Sequence, residues 1–144
     1  MNILSPYIIA VLAGWIIAQG AKYIIVALKN RNFDHFRQLY LSGNMPSAHS
    51  ATSVALCVVV GLRDGFESGV FAVAALLAGI VMYDAMMVRR SSGEQGLAIH
   101  ALIALSKNKE IILPRAARGH TPLEVVVGAI LGMGIGVVVF LATR

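Results

Sequence analysis

Residues 42–62 read SGNMPSAHSATSVALCVVVGL, a polar and turn-rich stretch that runs directly into an apolar one. Pro46 suits the first turn of a helix, and either Asn44 or Ser47 can cap that helix, so a helix is predicted to begin here. The apolar residues that follow are typical of a helix embedded in a bilayer. His49 is therefore expected in the first turn of a membrane helix, at the membrane surface.

Composition indicates the same setting for the whole chain. Of the 144 residues, 58% are hydrophobic and 13% are charged, and mean hydropathy is +0.77, whereas soluble domains have about 25% charged residues. The net charge of +5 does not predict nucleic-acid binding, because the basic residues lie between apolar runs without interleaved aromatic residues. Cys57 is the one cysteine, so neither a disulfide nor a cysteine-based zinc site is expected.

Four apolar runs predict an all-α membrane bundle that forms one domain over residues 1–144. A span needs about 20 apolar residues, and a shorter run suffices where a site cuts into the end of the helix. A fifth stretch, residues 96–113, mixes leucines with His100 and lysines and predicts an amphipathic helix at the interface. The four predicted spans are residues 3–28, 46–62, 69–88 and 122–142.

The charges of the connections predict an orientation. The connection after the first span holds three basic residues and one acidic residue, and the one after the second holds one basic and two acidic residues. Residues 89–118 hold six basic and two acidic residues. The positive-inside rule places the first and third connections in the cytoplasm. Every candidate polar motif of the chain then lies on that side, and these motifs are expected to form one site.

A second helix start resembles the first. In Gly119-His120-Thr121-Pro122, Thr121 can cap the last span and Pro122 suits its first position. Two helix N-termini, each with a histidine, are thus predicted on one face of the membrane. Their free N–H groups and partial positive charge favour an anion such as phosphate.

Glu124 follows His120 by four residues and lies on the same helix face. A carboxylate inside a span is costly unless it is paired. It can fix the tautomer of His120 and leave the other ring nitrogen free to attack. It can equally cap its own helix or reach water, and the spacing does not decide between these interpretations.

Two further charges within the spans have alternative interpretations. Lys22 lies inside the first span, where either snorkelling to the interface or a bound anion explains a lysine, and Lys29 follows on roughly the same face. Asp84 lies near the end of the third span, just before Arg89 and Arg90. These residues are either part of the site or a structural ion pair beside positive-inside arginines.

Three motifs resemble a known family when they are taken in order with Lys22. SGNMPSAHSA, VMYDAMMVRRSSGEQG and RGHTPLEVVVG are similar to the divergent bacterial and plastid branch of the phosphatidic acid phosphatase type 2 superfamily, the acid phosphatase/vanadium-dependent haloperoxidase-related family. The resemblance covers nearly the whole chain. The parent superfamily has the signatures KxxxxxxRP, PSGH and SRxxxxxHxxxD.

The resemblance implies roles for individual residues. His120 would be the nucleophile, Glu124 would orient it in place of an aspartate, and His49 would be the general acid. Ala48 replaces the glycine of PSGH, and the RP and SR pairs of the parent signatures are absent. The residues implied to hold phosphate are Lys22, Ser47, Arg89, Arg90 and Arg115, with Asp84, Lys29 and Arg118 in supporting positions.

The function implied is a lipid-phosphate phosphatase of a bacterial inner membrane or a plastid-type membrane, with its site on the cytoplasmic side. It would act through a phosphohistidine, without metal or cofactor, and its partners would be membrane lipids. The missing RP and SR favour a different class, a lipid-phosphate binding or transport-related protein without turnover. A purely structural protein is a third hypothesis, in which Gly128, Gly132 and Gly136 form a face that packs helices closely or supports a homo-oligomer.

Overall fold

The computed structural model describes residues 4–30, 45–106, 112–113 and 119–144, and every regular element within these ranges is helical. This confirms the predicted all-α fold. Asn44, Arg115 and Arg118 lie outside the described residues. The elements are α1 (Pro6–Asn30), α2 (Ala48–Asp64), α3 (Gly69–Tyr83), a π-helical turn (Asp84–Val88), α4 (Arg89–Ser106) and α5 (Pro122–Ala142).

Side-chain caps define where α2, α3 and α5 begin. Ser47 caps α2 by accepting the N–H of Ser50, and Ser68 caps α3 by accepting the N–H of Phe71. Thr121 caps α5, with Pro122 at the start of the helix. The predicted helix starts at Ser47 and Thr121 are therefore confirmed.

Among the described residues, three helices are long and apolar enough to cross a membrane, namely Pro6–Lys29, Gly69–Ser106 and Pro122–Ala142. The central helix, α2, has 17 residues and covers about 26 Å at about 1.5 Å per residue, which is shorter than a hydrocarbon core of about 30 Å. It packs against α1, α3 and α5. Large apolar side chains on α1, α3 and α5 are exposed, as expected for surfaces that face lipid.

The glycine face of α5 packs against α2 inside one chain. A Cβ atom on Gly128 would lie 2.5 Å from the main-chain oxygen of Ser47, and one on Gly132 would collide with the carbonyl oxygen of Ala51. A Cβ atom on Gly136 would lie 2.7 Å from Cβ of Val58 and 2.9 Å from the carbonyl oxygen of Ala55. Of the two uses predicted for this face, the structure shows close helix packing.

The third span and the predicted interfacial helix form one continuous helix from Gly69 to Ser106. The third span was predicted to end at residue 88 and the interfacial helix to begin at residue 96. The π-helical turn instead accommodates an extra residue without ending the helix. Residues 107–111 of the predicted helix lie outside the described residues.

Candidate active site

Three chain segments meet at one end of the bundle. The main-chain N–H of Ser47, before α2, donates to the carbonyl of Glu124 in α5 (3.1 Å), and the N–H of His120 donates to the carbonyl of Ala85 in the π-helical turn (3.0 Å). Gly119 lies so close to the backbone of Arg90 that a Cβ atom has no room. The three sequence motifs are thus in direct contact.

His120 is held by Glu124 and is almost entirely buried. Its Nδ1 lies 2.9 Å from Oε2 of Glu124, and the two side chains are 4% and 20% exposed. The carboxylate favours a proton on Nδ1, which leaves the lone pair on Nε2. That is the arrangement that a nucleophilic imidazole needs.

The same carboxylate oxygen also caps its own helix. Oε2 of Glu124 accepts the N–H of Thr121 at 3.1 Å, and Oγ1 of Thr121 accepts the N–H of Glu124 at 3.3 Å. Both contacts that the sequence left open for Glu124, one with His120 and one that caps its own helix, are therefore present.

The protonation of His120 is governed by two opposing effects. Burial lowers the pKa of the His120 imidazole below its ordinary value of 6.5, and the Glu124 carboxylate partly opposes that shift. Burial is the larger effect. His120 is accordingly neutral at neutral pH, and a neutral ring can attack phosphorus.

Lys22 lies inside the bundle beside this pair. Its side chain is 5% exposed, so it does not snorkel to the surface. Its ammonium group interacts electrostatically with Glu124 and with both His49 and His120. Lys29, by contrast, is exposed in the last turn of α1.

His49 lies in the first turn of α2, and its side chain is exposed. It is close enough to Arg89, His120, Asp84 and Lys22 to interact with each of them electrostatically. The two histidines and the buried lysine thus surround one region. An exposed imidazole there can exchange protons with a leaving group or with water.

Ser47 is fully buried and belongs to a pair of hydroxyl groups. Its Oγ accepts the hydroxyl of Ser50 at 2.9 Å and the N–H of Ser50 at 3.4 Å. Two hydroxyls carry two hydrogens, and this pair uses only one of them for its mutual bond. The remaining hydrogen can be donated to an acceptor beyond the pair.

Both described arginines of the motif form ion pairs through Nε. Arg89 donates to Asp84 at 2.8 Å, with side chains 39% and 38% exposed, and Arg90 donates to Glu94 at 3.1 Å on the surface. The structural ion pair that the sequence offered as one interpretation of Asp84 is therefore present. Each bond uses Nε, and a guanidinium group has further N–H donors at its two terminal nitrogens.

A cavity of about 270 Å³ opens beside His120. Its walls are the first turns of α4 on one side and the residues before α5 on the other. The lining residues are Arg90, Gly93, Glu94, Leu97, Gly119, His120 and Thr121. The nearly buried His120 therefore borders a space that can admit a small group.

Metal ligands are not clustered in the part of the chain that the structure describes. Within those residues, no three His, Cys, Asp or Glu side chains come together in a group that can hold an ion. The charges that surround the two histidines are those of protein side chains, namely Lys22, Arg89, Asp84 and Glu124.

Comparison with known sequences establishes the family. The profile described as "Divergent PAP2 family" matches residues 4–135. The chain belongs to this family. A relative from Bacillus subtilis (strain 168), described as "Uncharacterized membrane protein YuiD", is 35% identical over 148 residues, covering 92% of this chain and 93% of its own. No solved structure matches the chain significantly. The resemblance found in the motifs is confirmed, and the chain is a PAP2-related membrane protein.

Some residues of the candidate site were not singled out from the sequence. Ala85 supplies a main-chain acceptor to His120, and no side-chain pattern reveals such a contact. Ser50 supports Ser47 through its hydroxyl. Thr121 was predicted only as a cap, although the pattern T-x-x-E at residues 121–124 is a readable capping box.

Proposed function

We propose that this protein is a membrane phosphatase that hydrolyses a phosphomonoester or diphosphate of a lipid through a phosphohistidine at His120. The observation that carries the proposal is the 2.9 Å contact between Nδ1 of His120 and Oε2 of Glu124. It places an oriented, nearly buried imidazole beside Lys22, Arg89 and His49. A nucleophile, a proton donor and cations are the parts that phosphoryl transfer needs.

In the first step, Nε2 of His120 attacks phosphorus. The Nε2–P bond forms as the bond from phosphorus to the lipid oxygen breaks. His49, protonated at the outset, gives its proton to that oxygen, and the lipid leaves as an alcohol or, from a diphosphate, as a monophosphate. Glu124 stabilises the positive charge that develops on the ring of His120.

In the second step, His49 is neutral and acts as a base. It takes a proton from water as the water oxygen bonds to phosphorus and the Nε2–P bond breaks. Inorganic phosphate leaves, His120 is neutral again, and His49 holds the proton that it began with. Each turnover therefore consumes one water and leaves the enzyme unchanged.

The negative charge of the transferring group is neutralised by protein groups. Lys22 approaches from α1, and Arg89 and Arg90 approach with the terminal nitrogens that their ion pairs leave available. The hydroxyl hydrogen of the Ser47 and Ser50 pair adds a donor near the start of α2. Such fixed charges and donors stabilise the transition state without reorganising.

The substrate is a lipid because the site lies at the end of a bundle with lipid-facing apolar surfaces. Phosphatidate, phosphatidylglycerol phosphate and polyprenyl phosphates or diphosphates all present a phosphate at that depth while their tails stay in the bilayer. On the charge of the connections, we place the site on the cytoplasmic side of a bacterial inner membrane or a plastid-type membrane.

The test is phosphate release by the purified protein from these lipids, with His120→Ala and His49→Ala measured in parallel. We expect release that vanadate inhibits, that EDTA does not abolish, and that both variants lose. Release that persists in His120→Ala contradicts the assignment of the nucleophile. Release that EDTA abolishes contradicts the metal-independent mechanism.

A second function, binding or transport of lipid phosphates without turnover, is favoured by one observation. Arg89 and Arg90 are already paired with carboxylates, which weakens their hold on a transferring phosphoryl group. The same experiment separates the two functions. A protein that binds these lipids with micromolar affinity (about −8 kcal/mol) and releases no phosphate from any of them is the binder.

A further inference from the structure

Thr121 lies between the two residues that define the nucleophile. Its N–H donates to Oε2 of Glu124 at 3.1 Å, and its Oγ1 accepts the N–H of Glu124 at 3.3 Å. Oε2 is also the atom that contacts Nδ1 of His120 at 2.9 Å. One carboxylate oxygen therefore serves the cap of α5 and the imidazole at once.

The consequence for Glu124 is a loss of freedom. A glutamate side chain has several rotatable bonds and ordinarily samples many rotamers. In the capping box, the main-chain N–H of Thr121 holds the carboxylate of Glu124, and the hydroxyl of Thr121 holds the main-chain N–H of Glu124. The oxygen that contacts the imidazole is thus held in place before a substrate arrives.

The main chain around this pair is anchored on both sides. The N–H of His120 donates to Ala85, and the carbonyl of Glu124 accepts the N–H of Ser47. With these backbone positions set, the remaining variable is the direction of the Glu124 side chain. That direction depends on the first turn of α5, which the hydroxyl of Thr121 closes.

We propose that Thr121 is a positioning residue for His120, and that its hydroxyl keeps the Glu124 carboxylate on Nδ1 so that the lone pair stays on Nε2. Thr121 acts through Glu124 and takes no proton itself. This role goes beyond the proposed function, and it rests on that function only for its effect on turnover.

The tautomer of His120 is the most direct readout. Nitrogen NMR of the full chain in detergent, with ¹⁵N-labelled histidine and the His120 signal assigned by loss in His120→Asn, distinguishes a protonated Nδ1 from a protonated Nε2. The variants are Thr121→Ala, which removes the hydroxyl, and Thr121→Ser, which keeps it. Ser68→Ala is the matched control, since it removes the same kind of cap from α3 away from the site.

We expect His120 to be a single tautomer protonated on Nδ1 in the wild type, in Thr121→Ser and in Ser68→Ala, and a mixture in Thr121→Ala. Turnover of lipid phosphate should change with the tautomer. In Thr121→Ala we expect kcat to be about tenfold lower and KM to be little changed, which is the range typical of residues that orient a catalytic group. A single unchanged tautomer in Thr121→Ala overturns the positioning role. An equal response in Ser68→Ala also overturns it, because a general loss of helix stability then explains the effect. The NMR result holds whether or not the protein releases phosphate, so failure of the proposed function is recognised separately.

Discussion

The main-chain N–H of His120 donates to the main-chain carbonyl of Ala85, with the nitrogen and oxygen 3.0 Å apart. In a regular α-helix that carbonyl accepts the N–H four residues on, which is that of Arg89. In the π-helical turn the N–H of Arg89 donates to Asp84 instead. The extra residue in the turn thus leaves the carbonyl of Ala85 available to the segment that carries the candidate nucleophile.

That hydrogen bond depends on a close approach at Gly119. Because a Cβ atom there would collide with the backbone of Arg90, Gly119→Ala should push the start of α5 away from α4. We expect a loss of about 1–3 kcal/mol in the free energy of unfolding and a fall in turnover of about 100-fold from displacement of His120. Gly134→Ala is the control, since nothing lies within 4 Å of that position. Equal behaviour of the two variants in thermal unfolding and phosphate release would refute the close contact.

The contact between α2 and α5 should tolerate no added methyl group at Gly132. In Gly132→Ala the new Cβ atom meets the carbonyl of Ala51, and the helices must separate, at a cost of about 1–3 kcal/mol. Gly79→Ala, at an open position in α3, should be neutral or stabilising by up to about 1 kcal/mol. The midpoints of thermal unfolding in detergent, measured for Gly132→Ala and Gly79→Ala, test this difference in stability. A Gly132→Ala protein as stable as Gly79→Ala would show that α5 packs differently.

The ion pair of Arg89 with Asp84 tests whether this arginine serves the structure or the substrate. Because both side chains are more than a third exposed, Asp84→Asn should change the free energy of unfolding by no more than about 1 kcal/mol. The substitution releases Nε of Arg89 from its carboxylate, so KM for the lipid phosphate should fall, whereas Arg89→Ala should raise it. Glu67→Gln, which removes an exposed acid beyond the far end of α2, should leave KM unchanged. If Arg89→Ala has the KM of the wild type, Arg89 is only structural.

The pH dependence of kcat/KM should report His120. In the proposed mechanism the neutral ring is the nucleophile, so activity should be lost as His120 becomes protonated on the acid side. Because burial lowers the pKa of His120 from its ordinary value of 6.5, that loss should lie below pH 6.5. Since the Glu124 carboxylate raises the pKa of His120, Glu124→Gln should move the acid limb to still lower pH while it lowers the maximum rate. A pH profile of kcat/KM, measured on the wild type and on Glu124→Gln, shows the direction in which the acid limb moves. A limb that moves to higher pH in Glu124→Gln contradicts the assignment of His120 as the nucleophile.

The sequence predicted the helical bundle because apolar runs and capping residues are local signals. Ser47, Thr121 and Pro122 marked two helix starts correctly, and the charge of the connections placed the motifs together. The π-helical turn was not predictable, since residues 84–88 read DAMMV and contain no proline or glycine. Its acceptor is used by His120, which lies far along the chain.

Local sequence patterns also did not predict the detailed contacts of the site. The spacing of His120 and Glu124 allowed a pair or a cap, and only the folded structure shows that Oε2 of Glu124 serves both. Arg89 pairs with Asp84 because of the direction in which the helix continues after the π-helical turn. The burial of Lys22 likewise follows from how α1 packs against α2 and α5.

The central claim is that His120 carries the phosphoryl group, and trapping that group tests it most directly. An aryl phosphate, whose leaving group needs no proton, is mixed with the wild type and with His49→Ala, and the reaction is quenched in alkaline denaturant, which preserves phosphohistidine. Peptide mass spectrometry then locates the phosphoryl group. We predict that it lies on His120, with more of it in His49→Ala, where water is no longer activated. A phosphoryl group on His49 or Ser47, or phosphate release by His120→Ala, would contradict the account.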